Sequence, residues 1–115
     1  MLEILEEFKL SVNTNPQIQR IVKAWSTDVL VEENDSTNAY RLIINNGQIA
    51  AIEHSTDSVH HDCPMKIIGG SHILRGLFEG KVNGIRANNE GLIAIYGPMG
   101  DQVKLDAIAL ILWGI

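Results

Sequence analysis

Apolar positions at the start of the chain recur at helical spacing. Leu2, Leu5, Phe8 and Val12 alternate with Glu3, Glu6, Glu7 and Lys9, which predicts an amphipathic helix with its acids near the dipole-positive end. Asn13-Thr14-Asn15-Pro16 breaks that helix. Asn15 can cap and Pro16 can open a second one, along which Ile18, Ile21, Val22 and Trp25 form an apolar stripe. The pattern then changes period. Thr27 to Glu33, with Val29, Leu30 and Val31, reads as a strand, and Asp35 to Asn38 is turn chemistry. Tyr40 to Asn45 and Gln48 to His54 are strands joined at Asn46-Gly47, the strongest short hairpin signal. A two-residue loop there sets Ile44 opposite Ile49, Leu42 opposite Ala51 and Tyr40 opposite Glu53. Arg41, Ile43, Ala50 and Ile52 then share the other face. Apolar side chains on both faces predict a sheet covered on more than one side.

Ser55 to Pro64 is a polar loop and Met65 to Ile68 a short strand. Gly69-Gly70-Ser71 ends that strand, with Ser71 as the cap of a helix carrying Ile73, Leu74, Leu77 and Phe78, and Gly80 as its stop. A helical turn around Val82, Ile85 and Ala87 precedes a fifth strand, Leu92 to Tyr96. Asp101 can cap a last helix that runs to about Trp113. From Ala107 to Ile115 the chain reads AIALILWGI, with no charge and no polar side chain except an indole N–H. A helix with no polar face is surrounded, or touches something other than water. Packing between sheet and neighbours, a dimer contact and the wall of an apolar cavity all satisfy that requirement. The element order gives an α+β fold with a mostly antiparallel sheet and helices packed on it. The 115 residues fit one domain, 1–115.

Charge narrows the partners. The net charge is −5, and the nine Lys and Arg residues are scattered, with two Phe and two Tyr available for base stacking. Nucleic acid binding needs phosphate neutralisation and is excluded. Charge-driven attachment to anionic lipid is disfavoured as well, so membrane contact is at most transient. Cys63 is the only cysteine, which suits a reducing compartment. The acidic, interrupted N-terminal stretch is unlike a signal peptide, and no apolar run approaches the ~18 residues of a spanning helix. The chain reads as cytoplasmic.

His54, His60, His61, Cys63 and His72, with Asp57 and Asp62, are the obvious chemical cluster. Zinc needs three or four ligands converging tetrahedrally, and the spacing H-x5-H-H-x-C matches no standard pattern. A solvated polar loop is the first reading, and a metal site the competing one. Gly69-Gly70-Ser71 lacks the lysine and spacing of a phosphate-binding loop. Glu6-Glu7 and Glu32-Glu33 read as exposed charge. Nucleophile-elbow and zinc-protease motifs are absent, so no catalytic residue, metal or cofactor is expected.

From Met65 onward the chain resembles the sterol carrier protein 2 domain family. Lys66-Ile67-Ile68 running into Gly69-Gly70-Ser71 looks like that family's fourth strand entering a helix, and Leu74, Leu77, Phe78 and Gly80 resemble the helix and its closing glycine. Ala87, Gly91, Leu92 to Tyr96, Gly97, Gly100-Asp101 and Lys104-Leu105 look like its last strand, turn and final helix. Upstream, Tyr40 to Ile52 is similar to the family's central hairpin. The resemblance implies a five-stranded sheet packed with helices around a hydrophobic tunnel. It also implies non-catalytic binding of a fatty acid, acyl-CoA or sterol-like lipid, with the final helix closing the tunnel. The expected cavity wall is Trp25, Leu74, Leu77, Phe78, Ile93, Ile95, Leu105, Ile108, Leu112 and Trp113. Aromatic content of 5% leaves few flat partners for a sterol and favours an acyl chain. The alternative is a protein–protein interaction domain that uses the apolar C-terminal helix in a homodimer or to dock elsewhere.

Overall fold

The computed structural model describes residues 1–56 and 62–115. Helix α1 (Leu2–Thr14) buries Leu5, Phe8 and Val12, one side of the predicted stripe. Asn15 caps α2 (Pro16–Val22) as expected: its side chain accepts from the Gln17 and Ile18 amides, both at 3.0 Å. The stripe predicted to reach Trp25 stops short, because α2 ends at Val22 and Ile21 faces solvent. Trp25 leaves the helix to bury its ring, and its carbonyl accepts from the Gly47 amide at 2.8 Å.

Strands β1 (Thr27–Glu33), β2 (Ala39–Asn45), β3 (Gln48–Ser55), β4 (Met65–Gly69) and β5 (Ile93–Tyr96) form one sheet in the order β3-β2-β1-β4-β5. β1 and β4 are parallel and the other pairs antiparallel. The hairpin turns at Asn46 (φ 50°) and Gly47 (φ 81°), a backbone twist that matches the flanking strands. Gly47 is required twice over, since a Cβ there would lie 2.5 Å from the Val22 carbonyl oxygen.

The hairpin register departs from expectation. Ile44 pairs with Ile49, but a bulge follows, so Ile43 opposes Ala51, Leu42 opposes Ile52 and Tyr40 opposes His54. One extra residue turns every later side chain to the other face. Ile52 therefore joins Leu42 on the core side, while Leu30, only 3% exposed, is buried on the opposite face beside Arg41. Val29, Val31, Leu42, Ile44, Ile49, Met65 and Ile67 meet the helices in one core. On the opposite face Arg41 pairs with Asp28, its Nε 2.9 Å from Oδ2, and lies 3.4 Å from Glu53.

Strand alternation also carries Glu33 to the core side. It is 5% exposed rather than surface charge, and Ser36 Oγ donates to it at 2.7 Å. Helix α3 (Ser71–Glu79) begins at the expected place with a different cap. Ser71 is its first helical residue, and Asp35 accepts from the Ser71 amide (3.1 Å) and hydroxyl (3.0 Å). Gly80 ends α3 at φ 81°, and α4 (Gly84–Asn89) is capped by Asn83. The last helix, α5 (Met99–Trp113), starts one turn earlier than predicted, with Pro98 at its cap position. Asp101 lies in its first turn, engaged elsewhere.

Candidate functional site

Helix α5 is fastened at both ends. Near its start, Trp25 Nε1 donates to Asp101 Oδ1 at 2.9 Å, and Lys104 Nζ lies 5.9 Å from the centre of the Trp25 ring, within cation–π reach. Near its end, the Trp113 ring rests on bare backbone: a Cβ on Gly80 would lie 2.3 Å from Trp113 Cγ. Trp113 stacks on Phe8 (centroids 6.0 Å apart), and Phe8 meets Phe78 edge-on at 5.2 Å. Asn83 Nδ2 donates to the Ile115 carbonyl at 3.1 Å.

Between these fastenings one face of α5 spans hollow space. A central cavity of about 60 Å³ is lined on α5 by Leu105, Asp106, Ala109 and Trp113. Opposite them stand Phe8, Ile67, Leu77, Phe78, Val82, Gly84, Ile85, Ile95 and Ile115. A hollow of about 200 Å³ shares Ile85, Ile95, Leu105 and Asp106 with it and opens past Asn88 and Gln102. On the other side a second hollow of about 200 Å³ shares Phe8, Phe78 and Trp113, and adds Ile4, Glu7, Ser11, Glu79 and Lys81. The three form a row from the α1–α3 side to the α4–β5 side, separated by side chains.

The expected wall residues divide evenly. Leu77, Phe78, Ile95, Leu105 and Trp113 line the central cavity. Trp25, Leu74, Ile93 and Ile108 are buried in the core, and Leu112 is packed against it. Sequence reasoning did not select Phe8, Ile67, Val82, Ile85, Asp106, Ala109 or Ile115. The helical stripe marks Phe8 as buried, but nothing local says that it meets Trp113. Nor is the C-terminal stretch shielded all round: Leu110 is 62% exposed, and Met99 and Val103 share its outward face.

Asp106 is the polar exception in the wall. Burial pushes its carboxyl above the ordinary carboxylate range. Among the described residues it makes no hydrogen bond or ion pair.

The histidine–cysteine cluster does not assemble within the described residues. His54 Nε2 lies 2.9 Å from Asn38 Oδ1, and its ring stacks on Tyr40 at 4.6 Å. His72 is exposed on α3. Burial raises the Cys63 thiol pKa, which disfavours the reactive thiolate. Among the described residues no three His, Cys, Asp or Glu side chains could hold a metal ion. Asp57, His60 and His61 lie outside the described residues. No helix among them is long and apolar enough to cross a membrane.

A five-stranded mixed sheet with helices on one face, and three hollows bordering the last of them, the central one lined mostly by apolar side chains, defines a helix-capped α+β fold. Solved structures place it more closely: the chain has the sterol carrier protein 2 fold. It superposes on a crystal structure of sterol carrier protein 2 with a TM-score of 0.70 at 11% identity, covering 93% of this chain and 87% of that one. With palmitated SCP2L2 from Aedes aegypti the TM-score is 0.64 at 12% identity, over 92% and 90% of the two chains. A stereoselective inverting sec-alkylsulfatase from Pseudomonas sp. matches with a TM-score of 0.59 at 11% identity, over 78% of this chain and 14% of the enzyme. No family model matches the sequence, and no curated protein matches it. Identities this low establish the fold and leave the ligand to be argued from the site.

Proposed function

We propose that this chain binds an apolar lipid without chemically altering it, the buried part being a fatty acyl chain or its coenzyme A ester rather than a sterol. The row of hollows beneath α5 carries this reading. Its central segment is lined mostly by apolar side chains, with Asp106 the charged exception, surroundings suited to a hydrocarbon chain. A cavity of about 150 Å³ accommodates a molecule as small as benzene, so a longer guest requires the three hollows to join. Movement of Phe8, Phe78 and Trp113 on one side, and of Ile85 and Leu105 on the other, would join them. One structural relative, SCP2L2 from Aedes aegypti, was solved in palmitated form, which supports an acyl guest. About a dozen buried CH₂ groups contribute roughly 10 kcal/mol at about 0.8 kcal/mol each. Ordering and association costs of about 4 kcal/mol leave about 6 kcal/mol, a complex of roughly tens of micromolar. Uptake of a fluorescent acyl lipid by the delipidated protein tests the proposal. Saturable binding at about tens of micromolar, one per chain, is expected, and absence of binding would overturn it.

A second reading has its own observation. Met99, Val103 and Leu110 are 70%, 56% and 62% exposed on one face of α5, a surface suited to pairing with α5 of a second copy. In that case the mass in solution is twice that of the chain, and Leu110→Asp halves it without changing lipid uptake.

A further inference from the structure

An unpaired carboxylate in an apolar wall is costly, because ionised Asp accepts hydrogen bonds and cannot donate them. Asp106 faces both the central cavity and the neighbouring hollow. The other residues around that hollow are Ile85, Asn88, Ile95, Gln102 and Leu105, so no Lys, Arg or His lines it. Gln102 directs its Nε2 to the Gly97 carbonyl at 2.9 Å, away from Asp106. The cations next in sequence to the lining residues Leu105 and Ile85 are engaged as well: Lys104 with the Trp25 ring and Arg86 with Glu90 at 3.0 Å. Among the described residues lining the far hollow the one cation is Lys81, which stands 3.6 Å from Glu79, with Glu7 lining the same hollow.

From this juxtaposition we infer that Asp106 selects lipids whose polar end donates a hydrogen bond, a long-chain alcohol or amine, against lipids that end in a carboxylate. The inference rests on the hydrocarbon-binding part of the reading above and narrows it: the buried chain stands, and among its head groups the free carboxylate of a fatty acid is disfavoured. A hydroxyl or ammonium at this mouth supplies the donor that no described side chain gives Asp106. A carboxylate there meets a like charge with no cation between them.

Dodecan-1-ol, dodecylamine and dodecanoate, set to displace the uncharged probe diphenylhexatriene at pH 8, test the inference on the unmodified protein. The alcohol or the amine is expected to displace the probe at least about tenfold more effectively than dodecanoate, a difference of about 1.4 kcal/mol. Asp106→Asn, which keeps the side-chain shape and removes the charge, is expected to bring dodecanoate within about threefold of the alcohol. A selective loss of the amine in that variant identifies the ammonium as the favoured donor, whereas parity of amine and alcohol identifies the hydroxyl. Equal or stronger displacement by dodecanoate in the unmodified protein, or a preference unchanged in Asp106→Asn, overturns the inference while lipid binding stands. Failure of the probe and all three competitors to bind overturns both.

Discussion

Asp101 and Asp35 exchange the roles that local sequence assigns. Asp101 sits where an N-cap belongs, yet it is claimed by an indole N–H from Trp25, 76 positions away in the chain. Asp35 belongs to a turn, yet it caps α3 by accepting from Ser71. Caps are read from the few residues before a helix, so a partner folded in from elsewhere is invisible to that reading. Asp101→Ala should lower stability by about 1.5–3 kcal/mol, the usual contribution of a hydrogen bond to a charged group. Thermal melting measures the loss, and a change in Trp25 emission locates it. For Asp35, the hydrogen bonds from Ser71 hold the carboxyl below its ordinary value of 3.8. A depressed folded-state pKa stabilises above the unfolded value and loses that contribution as pH falls through the folded one. Asp35→Ala should therefore melt at a lower temperature than the unmodified protein at pH 7, and the gap should narrow as pH falls below 3.8 and through the lower folded-state value. A gap that persists undiminished in acid would contradict this.

At the scale of elements, periodicity located the helices and strands well and could not sort their faces. The hairpin was legible because Asn46-Gly47 admits few alternatives. The bulge after Ile49 was not, since one inserted residue leaves no compositional mark while reversing Ile52 and all that follows. In α5 three different surroundings all select apolar side chains. Ile108 enters the core, Ala109 and Trp113 border the hollow, and Leu110 faces outward. A sequence without a polar face cannot show which side is which. The contact between α3 and α5 depends on a glycine. Gly80 has a positive φ and carries the Trp113 ring on its backbone. Gly80→Ala should cost more than the roughly 1–2 kcal/mol of left-handed strain alone, because the indole is displaced as well. Denaturant titration checks the first effect and Trp113 quenching by acrylamide the second. A small loss with unaltered quenching would mean that Trp113 is not held there.

For the molecule as a whole, the order of elements carried more than any motif did. The sterol carrier protein 2 fold was readable from strand, glycine and helix succession between Met65 and Leu105. Five of the ten expected wall residues, Leu77, Phe78, Ile95, Leu105 and Trp113, border the central cavity, because residues of α3 and α5 meet there. The rest depended on long-range packing: Phe8 crosses from α1 to stack on Trp113, and the half-buried Asp106 borders the hollows where an acid is unexpected. The central claim is that the space under α5 admits a hydrocarbon chain within one subunit. Native mass spectrometry of the delipidated protein mixed with a long-chain lipid tests it, alongside Ala109→Phe, which fills the cavity wall. One lipid per monomer on the unmodified protein, and none on an Ala109→Phe variant with the same folded charge-state distribution, is the predicted result. Equal lipid attachment to both, or a dimer that carries no lipid, would contradict it.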